Sequence, residues 1–335
     1  MVLAPPRVLA HEKWFVDWPR YPIQLERIWS LPVLLALLAG VAAVGVLVFI
    51  RRTIARNDNL FPRIGFLRRF DPAAPVVIAI QTAIALIFMA VNLFLLAPNH
   101  HVDGALGFVL AAIQIGVAFS FISGALARIG ALALLGLVAV NALIFGLEGL
   151  FEQSLYAGIA LYMLLQGRGL TDPHGGQRRQ VPLLDRYSAY APSLLRILAG
   201  VSIVSLAFTE KLLNPAMGIA FLQEYPNFNV ARLIGLGWFT DERFIYAAGI
   251  VEFTVGVALI SGILPRLVIM GMFVPFNLTI PFLPPSELLG HLPIFAVMYV
   301  LVFHLPGNRL DAEPALGSRS RRQEPTRQPA PAAGR

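Results

Sequence analysis

The sequence predicts an all-α integral membrane protein with about nine transmembrane helices: one N-terminal helix followed by two parallel up-down four-helix bundles. Three observations lead there. The 335-residue chain is 57% hydrophobic and only 13% charged, with a mean hydropathy of +0.71, more apolar surface than a soluble core of this length needs. Apolar runs of about 20 residues recur, each able to cross a hydrocarbon layer of about 30 Å as a helix. The chain also repeats itself 138 positions apart, with Ile-Ser-Gly-Ala-Leu-Ala-Arg at 122–128 and Ile-Ser-Gly-Ile-Leu-Pro-Arg at 260–266. At the same offset Ala111, Gln114 and Ala118 match Gly249, Glu252 and Gly256, while Gln153 and Gln166 match His291 and His304.

Residues 1–29 form an outer segment rich in aromatics (Trp14, Phe15, Trp18, Tyr21, Trp29), which favour the membrane–water interface. The first helix, 30–50, lacks a small-residue cleavage site behind it and reads as an uncleaved anchor. An Arg-rich loop occupies 51–74. The first repeat, 75–167, holds helices near 75–96, 105–124, 129–148 and 153–167. A linker, 168–190, carries Asp172-Pro173-His174-Gly175-Gly176. The second repeat, 191–305, holds helices near 191–213, 244–262, 266–284 and 287–305. The tail, 306–335, is rich in Pro, Ala and Arg and reads as disordered.

An even number of helices per repeat makes the two copies parallel, related by an axis along the membrane normal. The turn at Gly262 and Pro265 ends one helix with glycine and opens the next with proline. The loop 214–243 contains Phe221, Tyr225, Phe228, Trp238 and Phe239. It is too apolar for a solvated loop and reads as an interfacial lid.

The net charge of +7 is a topology signal, not a nucleic-acid signal. With nine spans, Arg51, Arg52, Arg56, Arg63, Arg68 and Arg69, the linker arginines Arg168, Arg178, Arg179 and Arg186, and the arginines of the tail all fall on one side. The positive-inside rule makes that side cytoplasmic, with the N-terminus outside and the C-terminus inside. The absence of cysteine excludes thiol–disulfide exchange and thiolate metal ligation by this chain. No Gly-rich phosphate loop, His-Glu-x-x-His or nucleophile elbow is present, which argues against a nucleotide-driven pump.

Glu252 is the sharpest candidate for chemistry. It sits about 12 Å into its helix, flanked on one face by Gly249 and Gly256. A carboxylate within the membrane is costly and marks a site or an ion pair. Glu210 and Lys211 close the preceding helix at its outer side, and Lys211 is one of two lysines in the chain. Glu252 and Lys211 either serve a site or simply neutralise each other. Asn277 lies mid-helix beside Pro275, whose ring breaks the backbone ladder. His291 follows Gly290 at the outer start of the last helix, and Arg196 reads as an inner-surface anchor. His11, His100, His101, Asp103 and His291 share the outer face; imidazole and carboxylate suit zinc or copper, but the spacing matches no metal motif and no metal is assigned.

Leu195-Arg196 and Gly200, then Phe208 with Glu210-Lys211, Glu252 with Gly256, Gly262 with Arg266, and Gly290-His291 form a set. On these residues the second repeat, 191–305, resembles the DoxX/DoxD-like family of small four-helix membrane proteins. The first repeat keeps the outline and loses the charges. The resemblance implies a quinone-linked redox accessory role in the cytoplasmic membrane; a soluble oxidoreductase docked on the cytoplasmic, arginine-rich face belongs to the scaffold alternative below. For a quinone, the expected site is an outer-leaflet cavity. Glu252, Lys211 and Glu210 would handle protons there, and His291, Asn277, Trp238 and Tyr225 would hold the ring. Two other classes stay open: a carrier or channel for a small solute or metal, and a non-enzymatic scaffold. Whether the chain is itself an enzyme also stays open.

Overall fold

The structure, a computed structural model, describes residues 13, 16–53, 67–168, 182–279 and 285–303. The expectations for His11, most of the linker and the tail fall outside these residues. All regular elements among the described residues are helical. Six stretches are long and apolar enough to cross a membrane: Leu31–Thr53, Phe70–Val91, Gly104–Ser123, Ala127–Glu152, Ser188–Leu212 and Asp241–Ser261. Ser154–Gln166 and Leu288–Phe303 are shorter apolar helices.

Helix α1 (Leu31–Thr53) buries only Val33, Ala36 and Gly40, a stripe at helical spacing. It turns Leu34, Leu35, Leu38 and Val41 outward. Exposed apolar side chains in such numbers suit a hydrocarbon surrounding and not water. The first repeat supplies α2 (Ala74–Val91), α3 (Gly104–Ser123), α4 (Ala127–Glu152) and α5 (Ser154–Gln166). The second opens with α6 (Ala191–Leu206), continued by a π-helical turn over Ala207–Leu212. Then come α7 (Pro215–Glu224), α8 (Asp241–Ser261), α9 (Pro265–Thr279) and α10 (Pro285–Phe303).

The duplication is visible in local geometry. Helices α2 and α6 both open Ala-Pro, with proline in the first turn, where its missing N–H costs nothing. Gly124 (φ 75°) closes α3 and Gly262 (φ 69°) closes α8, each left-handed. Two residues on, Leu126 (φ 56°) and Leu264 (φ 45°) repeat that conformation in both turns. Helix α4 breaks at Gly146 (φ 73°, ψ −162°), a backbone shape open to glycine alone. Its last turns therefore belong with α5. At the repeat offset Gly146 matches Pro284, immediately before α10.

The packing differs from two self-contained bundles. Within each repeat α2 packs on α3 and α6 on α8, yet α5 lies mainly on α4 and on α6, and α10 mainly on α2. The last helix of each repeat thus rests against the first helix of the other. One core joins Leu86, Phe121, Tyr162 and Met163 to Leu195, Leu259, Val297 and Leu301. The reason lies in the first helices: α2 buries Ile78, Ala79, Thr82, Ala83, Ala85, Leu86 and Met89, more than one face, so it requires partners on two sides.

Helices α6 and α8 meet backbone to backbone. A Cβ at Gly200 would lie 2.7 Å from the Gly256 carbonyl oxygen, and one at Gly256 would lie 2.8 Å from that of Gly200. Only glycine permits such an approach. At the far end of α8 the buried Arg196 guanidinium donates to the carbonyls of Leu259 and Ile260 (3.0 Å for the latter) and lies over Gly262. It satisfies carbonyls that a helix end leaves open, a capping role where the sequence suggested a surface anchor. Arg168 covers Gly124 in the first repeat in the same way.

Candidate functional site

Glu210, Lys211 and Glu252 come together at the end of the bundle opposite Arg196. The π-helical turn at Ala207–Leu212 inserts a residue into the helix, a device often found at functional sites. It carries both Glu210 and Lys211, which are buried. Gly249 leaves room for them: a Cβ there would meet Leu212 at 2.8 Å and Lys211 Cβ at 3.3 Å. Lys211 Nζ lies 3.6 Å from Glu210 Oε2 and 3.2 Å from Glu252 Oε1. Glu252 is half-buried and reaches Lys211 from α8.

At the matching place in the first repeat, Gln114 is buried and makes a different set of bonds. Its Oε1 accepts from Leu96 N (3.1 Å) and its Nε2 donates to Phe94 O (2.9 Å). Gln114 therefore clamps the loop after α2, and the matching Glu252 binds the lysine after α6.

A second ionic cluster adjoins the first, and the sequence reading missed it. Lys13 is buried and donates to both Glu148 and Glu152, and to Thr209 Oγ1 at 3.3 Å. Thr209 in turn donates to Glu152 Oε1 at 2.8 Å. Burial acts to lower the Lys13 pKa, but Glu152, Glu210 and Glu148 outweigh it and hold the ammonium above its ordinary value of 10.5. The first repeat thus has charges, placed on the α4 segment after Gly146. Two signals for them were present in the chain. Lys13 is the other lysine, and Glu148 and Glu152 stand one helical turn apart in an otherwise apolar run.

The N-terminal segment is seated on the same end. Gln24 N donates to Leu213 O (3.1 Å) and Asn214 Nδ2 to Tyr21 O (2.7 Å). His100 lies beside Lys13's cluster, stacked on Phe145 with ring centroids 4.1 Å apart and close to Asn141. Burial, and then the Lys13 charge, push its pKa down from 6.5 to about 4, so its ring is neutral at pH 7.

The other anticipated site residues have local partners of their own. Asn277 is exposed and donates back to Phe273 O of its own helix at 2.7 Å. His291 sits among Phe276 and Phe295, with ring centroids 5.3 and 6.0 Å away. Tyr225 stacks on Phe221 (5.3 Å) in a small cluster with Phe228 and Phe244. Trp238 is exposed under the Arg243 guanidinium. His101 turns outward to Asp103 (2.8 Å), away from the buried His100. Among the described residues no group of three or more His, Asp or Glu is arranged to hold a metal ion.

No known protein family, curated protein or solved structure matches the chain.

Proposed function

We propose that the chain is a quinone-linked redox accessory subunit of the cytoplasmic membrane whose own contribution is proton handling at Lys211 and its two carboxylates. The observation that carries this reading is one ammonium between a buried Glu210 and a half-buried Glu252, 3.6 and 3.2 Å away. Ionisable groups in an apolar bundle are expensive and mark proton pathways. A paired carboxylate whose second oxygen, Glu252 Oε2, is buried without a hydrogen bond is suited to take up a proton and pass it to a reacting oxygen. The resemblance of residues 191–305 to the DoxX/DoxD-like family supplies the quinone. In this reading nine spans, in two parallel repeats, put the arginine-rich end in the cytoplasm and the N-terminus outside. A soluble oxidoreductase docks on the arginine side. Tyr225, Trp238 and His291 border the quinone's approach, and Asn277 is the weakest of the proposed contacts because its amide bonds its own helix.

The test is extraction of the purified protein for bound quinone, followed by quinone-linked proton uptake in lipid nanodiscs with Glu252→Gln. The expected outcome is co-purified quinone in both proteins and at least a tenfold slower uptake in the variant, typical of a lost general acid. A folded variant with unchanged uptake, or a wild type that carries and reduces no quinone, sinks the proposal.

A further inference from the structure

The two ionic clusters adjoin, and their exposures are graded. The side chains of Glu210, Glu152, Lys13 and Lys211 are between 1% and 9% exposed, whereas Glu148 is 36% and Glu252 33% exposed. Glu210 is close enough for its charge to act on Lys13, Glu152 and Glu252 alike. The buried interior holds two ammoniums and two carboxylates, and the other two carboxylates, each bonded to one of those ammoniums, belong to the two partly exposed side chains, with Glu252 Oε2 itself buried.

We propose that Glu252, Lys211, Glu210, Lys13, Glu152 and Glu148 form one proton path across the repeat boundary, open at Glu252 and at Glu148. This deepens the proton-handling reading above by giving that site a second opening. Each step moves one proton from a carboxylic acid or ammonium to a neighbouring carboxylate or amine, and no electrons move. A proton arriving on Glu252 removes a negative partner from Lys211, which turns more fully to Glu210. Glu210 then compensates Lys13 less, and Lys13 draws on Glu152 and Glu148, favouring release of a proton at Glu148. Thr209, which donates to Glu152 at 2.8 Å and accepts from Lys13 at 3.3 Å, gives the inner pair a hydroxyl that donates and accepts at once. Of the further titratable groups near the path among the described residues, Tyr246 packs in the cluster around Leu212, and His100 lies near enough for the Lys13 charge to act on it and stays neutral above about pH 4.

The test is infrared titration of the carboxyl C=O stretch in quinone-free protein in nanodiscs, so its result does not depend on quinone binding. Glu252→Gln is expected to remove one band and to alter the pH response of a second, the band that Glu148→Gln removes, because a charge on the shared path is gone. A second band indifferent to Glu252→Gln overturns the path while leaving the Lys211 site intact. If the variant does not fold, the wild type decides. Coupled groups titrate as one broadened curve, whereas separate single-proton curves overturn the proposal. Carboxyl bands governed by sodium concentration in place of pH overturn it too, as the signature of a metal cation path.

Discussion

Gln114 and Glu252 occupy matching places in the two repeats and hold different things. Gln114 clamps the backbone at Phe94 and Leu96, and Glu252 holds the Lys211 side chain. Gln114→Glu loses the Nε2 donor to Phe94 O and buries a carboxylate. It is expected to destabilise the protein by about 1–3 kcal/mol, read as a lower unfolding temperature in detergent. Glu252→Gln, at a half-buried position, should cost less. Equal losses would show that the clamp is not what Gln114 contributes.

Lys13 is the sole cation bonded to Glu148 and Glu152 among the bonds described here. Lys13→Met leaves a buried carboxylate uncompensated, for which a loss of about 3–5 kcal/mol is expected. Adding Glu152→Gln should return part of that loss. A double variant no better than the single would mean that Lys13 acts through packing of the N-terminal segment.

His100 makes stability fall on the acid side. Its folded-state pKa of about 4 lies below the ordinary 6.5, so between those values the unfolded chain binds a proton that the folded chain refuses. Stability from this group is complete above about pH 6.5. It is lost progressively down to about pH 4, by up to about 3 kcal/mol. His100→Gln should flatten that slope in detergent unfolding measured from pH 7 to pH 4, and an unchanged slope would assign the acid loss to other groups.

Leu126 and Leu264 share a left-handed backbone, but Leu126 is 68% exposed and Leu264 only 7%. Left-handed leucine costs about 1–2 kcal/mol, part of which glycine gives back through a freer unfolded chain. Leu126→Gly is therefore expected to stabilise by up to about 1 kcal/mol. Leu264→Gly loses a buried side chain and should destabilise by about 2 kcal/mol or more. Unfolding midpoints of the same sign for both would overturn the strain argument.

The chain by itself determined what depends on neighbours within a few residues. The apolar periodicity of the spans, the paired Gly-x-Leu turns at Gly124 and Gly262, and the glycine face at Gly249 and Gly256 were all readable, because helix geometry and left-handed caps are set within one segment. The approach of Glu252 to Lys211 was also legible, since one helix ends on the outer side at Lys211 and the next starts there and reaches Glu252 after about two turns. Only the tertiary structure decided the rest. Lys13 meets Glu148 and Glu152 across 135 and 139 positions. The crossed packing of α5 on α6 and α10 on α2 joins the repeats into one core. The π turn carries Glu210 and Lys211, both buried, and Asn277, polar and beside a proline, is exposed and bonds its own helix. Such contacts follow from how whole apolar faces are shared out among helices, and the periodicity of a single segment carries no record of which partner its second face will find.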